Sequence, residues 1–506
     1  MAELKPSIDV TGVNIFWIAF CCSWSVILIV GMGFLWTRRN MPLVKVRGIG
    51  LSFAAIACLH TYWIAVEIAT TVTNFPAQAQ YWIMGLYLPI GIALFHASNS
   101  RFLHVAKQQR KFVRGDVGNA HVSFKTINLG CFNVRTTHTT KLLSLVGIGI
   151  CVQILLTTIM WLLSRKFHPS FGVPGTEVSG DPWEVNQKQA TGWEWWPSLV
   201  WQFFWSWIVA PIVLWRARNI HDTLGWRTQT IACCLASLPA TPMWLIALYV
   251  PSMAEVNARW FPPQWIAISI MLLEIFTVFV PCWQALKHQS LQQETLDMIS
   301  AWESKYVAED PSSGTSSSGA TVSASLLTMG ALEQLLNDNP EPLRCFSALK
   351  DFSGENVAFL VAVSAWKKGY PENPTEEARR EAFTRALHIY TDFISPRTEF
   401  PVNLSFHDIK DVEAVFSGAV KTLYGAEEPV LNPIPQFGSQ NWLKQWGEVP
   451  EGFDGTIFDR AEKSVKYLVL TNTWPKFLQD RSISGVSVRA KPFKATCISR
   501  EALTSV

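Results

Sequence analysis

Charge is what this sequence has least of. Asp, Glu, Lys and Arg make up only 16% of its 506 residues, and the formal net charge is +3. With no basic block and no basic–aromatic interleaving, a nucleic-acid partner is excluded. The chain has no phosphate-binding loop, no metal-ligand cluster and no nucleophile–base arrangement, so no catalytic residue, metal or cofactor is expected, and the protein is not read as an enzyme in its own right. Its ten cysteines make no disulfide framework. Cys21, Cys22, Cys58, Cys151, Cys233, Cys234 and Cys282 lie in apolar runs, while Cys131, Cys345 and Cys497 lie in segments assigned below to the cytosol, so free thiols are expected throughout. The first apolar run has no basic region before it and no clear cleavage site, and it is too long for a signal-peptide core.

What the chain has in abundance is apolar surface: 49% of its residues are hydrophobic, with 24 Trp and 30 Phe. A chain of this length holds at least two domains, and its two parts differ in kind. Before residue 290 it is a series of long apolar runs; after that it is charged and soluble in character. A helix needs ~20 mainly apolar residues to cross a bilayer. The segments 13–36, 49–72, 81–99, 142–163, 198–215, 229–250 and 265–284 qualify. Pro89, Pro239, Pro242 and Pro281 are expected kink sites within them.

Lys and Arg near the span ends set the orientation. The first loop carries Arg38, Arg39, Lys45 and Arg47; the loop after the third span carries Arg101, Lys107, Arg110, Lys111 and further cations; the loop after the fifth carries Arg216, Arg218 and Arg227. On the other side, 73–80 has no charge, 251–264 has only Arg259, and the cations of 164–197 are offset by Glu177, Asp181, Glu184 and Glu194. The expectation is a multi-pass protein of the plasma membrane, with residues 1–12 outside and everything after the seventh span in the cytosol.

Polar groups inside the spans stand out because an ionised carboxylate in hydrocarbon is costly. His60, Trp63 and Glu67 share one face of the second span, and Glu274 lies near the middle of the seventh. Two readings are open: a ligand-sensing pocket or proton-linked switch, or a structural hydrogen bond between helices with Glu274 neutral.

After the spans (13–289), Leu291, Leu296, Ile299, Trp302 and Tyr306 recur at near-helical spacing, so the seventh helix is expected to continue into a juxtamembrane segment. A Ser/Gly-rich linker, Pro311 to Gly319, completes the 290–325 connection. Residues 326–481 read as all-helical. Thr375 before Glu376 and Glu377, Ser405 three residues before Asp408, and Thr456 three before Asp459 are helix starts. Behind them run apolar stripes: Phe383, Leu387, Tyr390 and Ile394; Ile409, Val412, Val415, Phe416 and Ala419; Ile457, Phe458, Ala461, Val465, Leu468 and Val469. Residues 482–506 form a basic Ser/Thr-rich tail.

Four stretches of this helical segment closely resemble the RGS domain family, the regulators of G-protein signalling. They are Phe346 to Phe359, with its Asp351-Phe352-Ser353-Gly354-Glu355-Asn356 loop; Ile389 to Ile394; Val402-Asn403-Leu404 entering at Ser405; and Ile457 to Glu462, continuing to Trp474-Pro475-Lys476-Phe477-Leu478. An RGS box behind seven spans is similar to the receptor-like RGS proteins of plants and fungi. The fold class that follows is all-α, a seven-transmembrane bundle followed by a cytosolic helical bundle.

The resemblance implies a partner and a mechanism. The partner is the α subunit of a heterotrimeric G protein, GTP-bound or in its transition state, and the GTPase chemistry is the partner's own. The domain binds the switch segments in their transition-state arrangement and so lowers the barrier. By matched position, Asp351, Phe352, Glu355, Asn356, Asn403, Leu468, Asn472, Thr473 and Lys476 are the Gα-binding residues. Asn472 departs from the family, which usually has Asp there to brace the contact loop. The segment 425–455, with Pro429, Pro433, Pro435 and Pro450, looks like an insertion. The alternatives are a ligand-gated receptor with built-in RGS feedback, responding to a small molecule from outside, and a Gα-binding scaffold that does not accelerate hydrolysis.

The charge bias is directly testable. Protease added to sealed cells should cut within 164–197 and spare the C-terminal half; cleavage of that half in intact cells would invert the orientation.

Overall fold

The computed structural model describes residues 7–8, 11–73, 75–114, 125–129, 132–136, 138–168, 170–257, 260–308, 327–372, 375–395, 398, 401–424 and 448–483. The Ser/Gly-rich linker, most of the 425–455 segment and the tail beyond Ile483 lie outside the described residues. The chain forms two compact units. One comprises Met1–His104, His138–Ile220 and Leu224–Leu286; the other comprises Val105–Thr137, His221–Thr223 and Lys287–Val506.

Among the described residues seven helices are long and apolar enough to cross a membrane: Gly12–Thr37, Ile49–Thr71, Ala77–Val113, Lys141–Leu163, Gln187–Ala217, Trp226–Tyr249 and Gln264–Ala301. The chain is a multi-pass membrane protein. Only 11% of the first span's most apolar stretch is buried against protein, compared with 61% for the third. The first span therefore lies at the periphery of the bundle and the third at its centre. Ile29 and Val30 at 65% exposure and Leu145 at 69% are stable there only because lipid replaces water. The third helix runs on to Arg114 and the seventh to Ala308. The second continuation is expected from its apolar spacing, the first is not.

Proline explains the irregularities in these helices. Its ring clashes with the carbonyl four residues back and it offers no N–H. Pro89, Pro211 and Pro281 each follow a wider π-helical turn, Ile83–Tyr87, Phe204–Val209 and Ile275–Phe279 respectively. In each case the crowded carbonyl, that of Gly85, Trp207 or Thr277, lies inside the wide turn. At Pro239 the sixth span divides into Trp226–Ser237 and Ala240–Tyr249. The 164–197 loop is ordered by the acids that balance its cations: Arg165 with Glu177 at 2.8 Å, Lys166 with Glu194 at 2.7 Å and Lys188 with Glu184 at 3.8 Å.

Among the described residues, two short strand pairs qualify the all-helical expectation. Ser7–Ile8 pairs antiparallel with Val72–Thr73, and Lys125–Leu129 with Phe132–Thr136. The second pair alternates apolar and polar residues across a two-residue connection, a hairpin pattern that the helical reading passed over.

In the second unit, helices Met329–Asp338, Glu341–Leu349, Gly354–Lys368, Glu376–Ile389, Phe406–Tyr424, Asp459–Leu468 and Trp474–Ile483 enclose one aromatic core. Thr375 Oγ1 accepts from the Ala378 N–H, and Ser405 Oγ from the Asp408 N–H, at the expected helix starts. Thr456 is different: it donates to Asp454, and Phe458 occupies the cap. Phe359, Phe383, Phe416 and Phe458 are fully buried, with Tyr390 stacked on Phe416 at 5.1 Å. Phe453, expected in the insertion, is part of this core at 2% exposure and meets Phe383 edge-on at 4.9 Å. Cysteines 21, 22, 58, 151, 233, 234 and 282 are free, whereas Cys345 is disulfide-bonded, against the expectation.

Burial pushes the Asp392 carboxyl from its ordinary 3.8 up to about 7. The folded state therefore holds a proton that the unfolded chain has released, and stability falls as pH rises from about 4 towards 7. Hydrogen-exchange protection of the Glu376–Ile394 segment in the full chain, corrected for intrinsic rates, should drop across that window. Asp392→Asn should abolish the dependence; an unchanged slope would place the titrating group elsewhere.

Candidate functional site

Each unit contains a cluster of buried polar groups. In the membrane unit, His60 and Glu274 meet: His60 Nδ1 lies 2.8 Å from Glu274 Oε1. Trp24 Nε1 donates to Glu274 Oε2 at 2.5 Å. Ser25 Oγ donates to the Cys21 carbonyl at 2.7 Å, so it accepts from His60 Nε2, 3.0 Å away. The His60 ring thus bridges Glu274 and Ser25, and the Trp24 indole gives the carboxyl a second partner. These partners are how a fully buried carboxyl is tolerated among apolar spans. Trp63 stacks on His60 at 5.3 Å. Glu67 is not part of the cluster; Gln264 Nε2 donates to it at 3.2 Å. Trp24 and Ser25 went unnoticed in the sequence because a Trp or Ser in an apolar run carries no mark of its partner.

In the second unit the centre is Asp351, 5% exposed, in the turn between Glu341–Leu349 and Gly354–Lys368. Its Oδ2 accepts from Thr473 Oγ1 at 2.8 Å and Ser353 Oγ at 2.9 Å. Its Oδ1 accepts from Lys476 Nζ at 2.7 Å and Thr223 Oγ1 at 2.8 Å. A carboxylate with four donors is well compensated for burial. Phe352, next in the chain, holds a left-handed φ of 50° with its ring buried, a strained conformation for a bulky residue that the surrounding bonds maintain.

The loop is also gripped from the helix Leu88–Arg114. Gln109, fully buried, accepts from the Gly354 N–H at 3.0 Å and donates to Glu355 Oε2 at 2.9 Å. A Cβ at Gly354 would come within 2.8 Å of both Ala348 Cβ and Gln109 Oε1, so only glycine permits this approach. The Thr223 N–H donates to the Lys350 carbonyl at 2.8 Å.

The nine residues singled out in this segment divide by burial. Asp351, Phe352, Asn356, Asn472 and Thr473 are all below a tenth exposed and brace the loop from within. Glu355, Leu468 and Lys476 are half-buried, and Asn403 is exposed. Asn403 sits beside Val402, whose N–H donates to the Phe393 carbonyl at 2.9 Å, so an outward amide stands on a pinned backbone. Asn472 donates from Nδ2 to the Leu468 carbonyl at 3.0 Å, a bond an aspartate would replace with oxygen facing oxygen. The loop's carboxylate is held by Thr473 and Lys476 instead.

No protein-family model, curated protein or solved structure matches the chain.

The Asp351 hub predicts a measurable coupling. Asp351→Ala strands the Lys476 ammonium and should destabilise the second unit by about 3–5 kcal/mol. Lys476→Met in the same chain should restore part of that loss, with a coupling of about 1–3 kcal/mol in a double-mutant cycle. Additive losses would show that the two side chains do not act as a pair.

Proposed function

We propose that this protein is a membrane-tethered regulator of heterotrimeric G-protein signalling, whose C-terminal RGS-type bundle binds activated Gα and accelerates its GTP hydrolysis. The observation that supports this reading is the Asp351 hub, which ties the Asp351–Asn356 loop to Thr473 and Lys476. Two separate stretches resembling the RGS family thus meet in one rigid junction, and a third offers the exposed amide of Asn403. An amide suits a switch-contacting position because it donates and accepts without bringing charge beside the phosphate. The bundle adds no chemistry; each ~1.4 kcal/mol by which it favours the transition state over the GTP state gives a tenfold rate gain. The N-terminus is outside and the bundle in the cytosol of the plasma membrane. In this reading an outside ligand acts through the spans, with the His60–Glu274 network as the element whose proton or packing it shifts.

The burial of Asn356, Asn472 and Thr473, together with the bond from Gln109 to Glu355, favours a second reading: a scaffold that binds Gα without accelerating it. Single-turnover GTP hydrolysis by Gα with the reconstituted full chain separates the two. The activator reading expects acceleration by wild type, at least a tenfold loss in Asn403→Ala with binding retained, and weakened association in Glu355→Lys. Phe359→Ala, a core control, should unfold the bundle at about 3–5 kcal/mol. Binding without acceleration by wild type would establish the scaffold; full acceleration by well-folded Asn403→Ala would remove that residue from the contact.

A further inference from the structure

The third span is the most deeply buried of the seven described spans, yet it carries a polar face in mid-bundle. His96 and Asn99 lie about one helical turn apart on that face and are 1% and 4% exposed. His96 Nδ1 and Asn99 Nδ2 have no hydrogen-bond partner among the described residues. On the sixth span Gln229 Oε1 is in the same position, in a side chain that is also buried. A polar group held out of water without a partner is costly, most of all among apolar spans, where hydrocarbon offers no replacement bond.

Each of these side chains lines a small cavity. Asn99 and Gln229 share one of about 20 Å³, whose wall also carries the hydroxyl pair Ser52–Ser98, 2.6 Å apart, and the apolar Leu35 and Pro281. His96 lines a second, of about 30 Å³, together with Gln202, Ser206 and Thr241. Phe95 lines both. A water needs roughly 10–15 Å³ of such space and two to four polar partners, so the first cavity has room for about one water and the second for about two. Both are too small for a drug-sized ligand.

The backbone is irregular where it meets these cavities. Ser206 lies in the wide turn Phe204–Val209, and Thr277, on the wall of the smaller cavity, lies in the wide turn Ile275–Phe279. Ser237 and Thr241, on the wall of the larger, flank the break of the sixth span at Pro239. Backbone that departs from the α-helix at membrane depth is tolerated where it is buried in protein or lines a wetted cavity. The wall chemistry also suits water. Asn99 offers a donor and Gln229 an acceptor, and reversing either amide changes only the direction in which water bonds to it. Gln202 Oε1 accepts from Thr241 Oγ1 at 3.0 Å, which orients that amide beside the larger cavity.

We propose that the two cavities are binding sites for internal water: one water bridges Asn99 to Gln229 and so joins the third span to the sixth, and the water of the larger cavity joins His96 to Gln202 and Ser206 of the fifth. Water, unlike a metal ion or a charged ligand, satisfies these groups without adding charge to the interior of the bundle.

X-ray footprinting of the detergent-purified full chain tests this, because hydroxyl radicals formed from a bound water oxidise the side chains that touch it. Corrected for intrinsic reactivity, Phe95 and His96 should be oxidised about fivefold or more above Phe102, which is as deeply buried in the same span and lines neither cavity. His96→Phe keeps a ring to stack on Trp205 and removes both ring nitrogens. In that variant oxidation of Leu273, on the wall of the larger cavity, should fall about threefold, with Pro281 in the smaller cavity unchanged. Gln229→Leu should do the reverse. Wild-type oxidation of Phe95 and His96 no higher than that of Phe102 overturns the proposal, whether or not the variants fold. Unchanged oxidation in both folded variants also overturns it, since the label would then come from radicals diffusing through the bundle.

Discussion

The constraint on which the rest depends is that a carboxyl removed from water must be surrounded by donors. Glu274 in one unit and Asp351 in the other show how it is met. Glu274 is fully buried among apolar spans and is matched by His60 and Trp24, so that helices distant in sequence are held at one register by this network. Asp351 is matched by a lysine and three hydroxyls drawn from three separate segments. Taking such an ion out of water costs several kcal/mol, so each partner is required, and the backbone around it inherits the rigidity. The strained turn at Phe352 persists because its neighbours are fixed in this way.

Backbone carbonyls obey the same rule. Where proline would crowd one, the helix widens by a π turn ahead of Pro89, Pro211 and Pro281 and keeps the span unbroken. The wide turn before Pro281 begins directly after Glu274. The most polar point of the seventh span and its most irregular backbone are therefore adjacent. The C-terminal bundle repeats the device at Val469–Thr473, ahead of Pro475, and that turn carries both Asn472 and Thr473. Proline thus shapes the backbone beside Glu274 and beside Thr473, the partner of Asp351.

Charge outside the spans is distributed with similar economy. In the 164–197 loop each cation has its own acid, and the loop folds on those pairs. In the first loop cations outnumber acids, and Gly48 sorts them: Arg47 inward to carbonyl and amide oxygens, Lys45 outward. The +3 net charge conceals this local separation.

How much of this was legible in the sequence follows from the range of the forces involved. The spans could be read because crossing hydrocarbon is a demand on one continuous segment, met by length and composition alone. The helix starts at Thr375 and Ser405 could be read because a cap spans three residues; Thr456 has the same local signal, but Asp454 competes for its hydroxyl. The core stripe through Phe383, Leu387 and Tyr390 has helical spacing, whereas Phe453 sits in a Pro-rich stretch whose local pattern says loop, and only the space between Trp366, Phe383 and Phe416 makes it core. His60, Glu274 and Asp351 were visible as groups that needed partners. Which partners, Trp24, Ser25, Thr223 and Gln109 among them, depended on tertiary contact, because a hydrogen bond between residues 250 apart in sequence leaves no periodic trace in either segment.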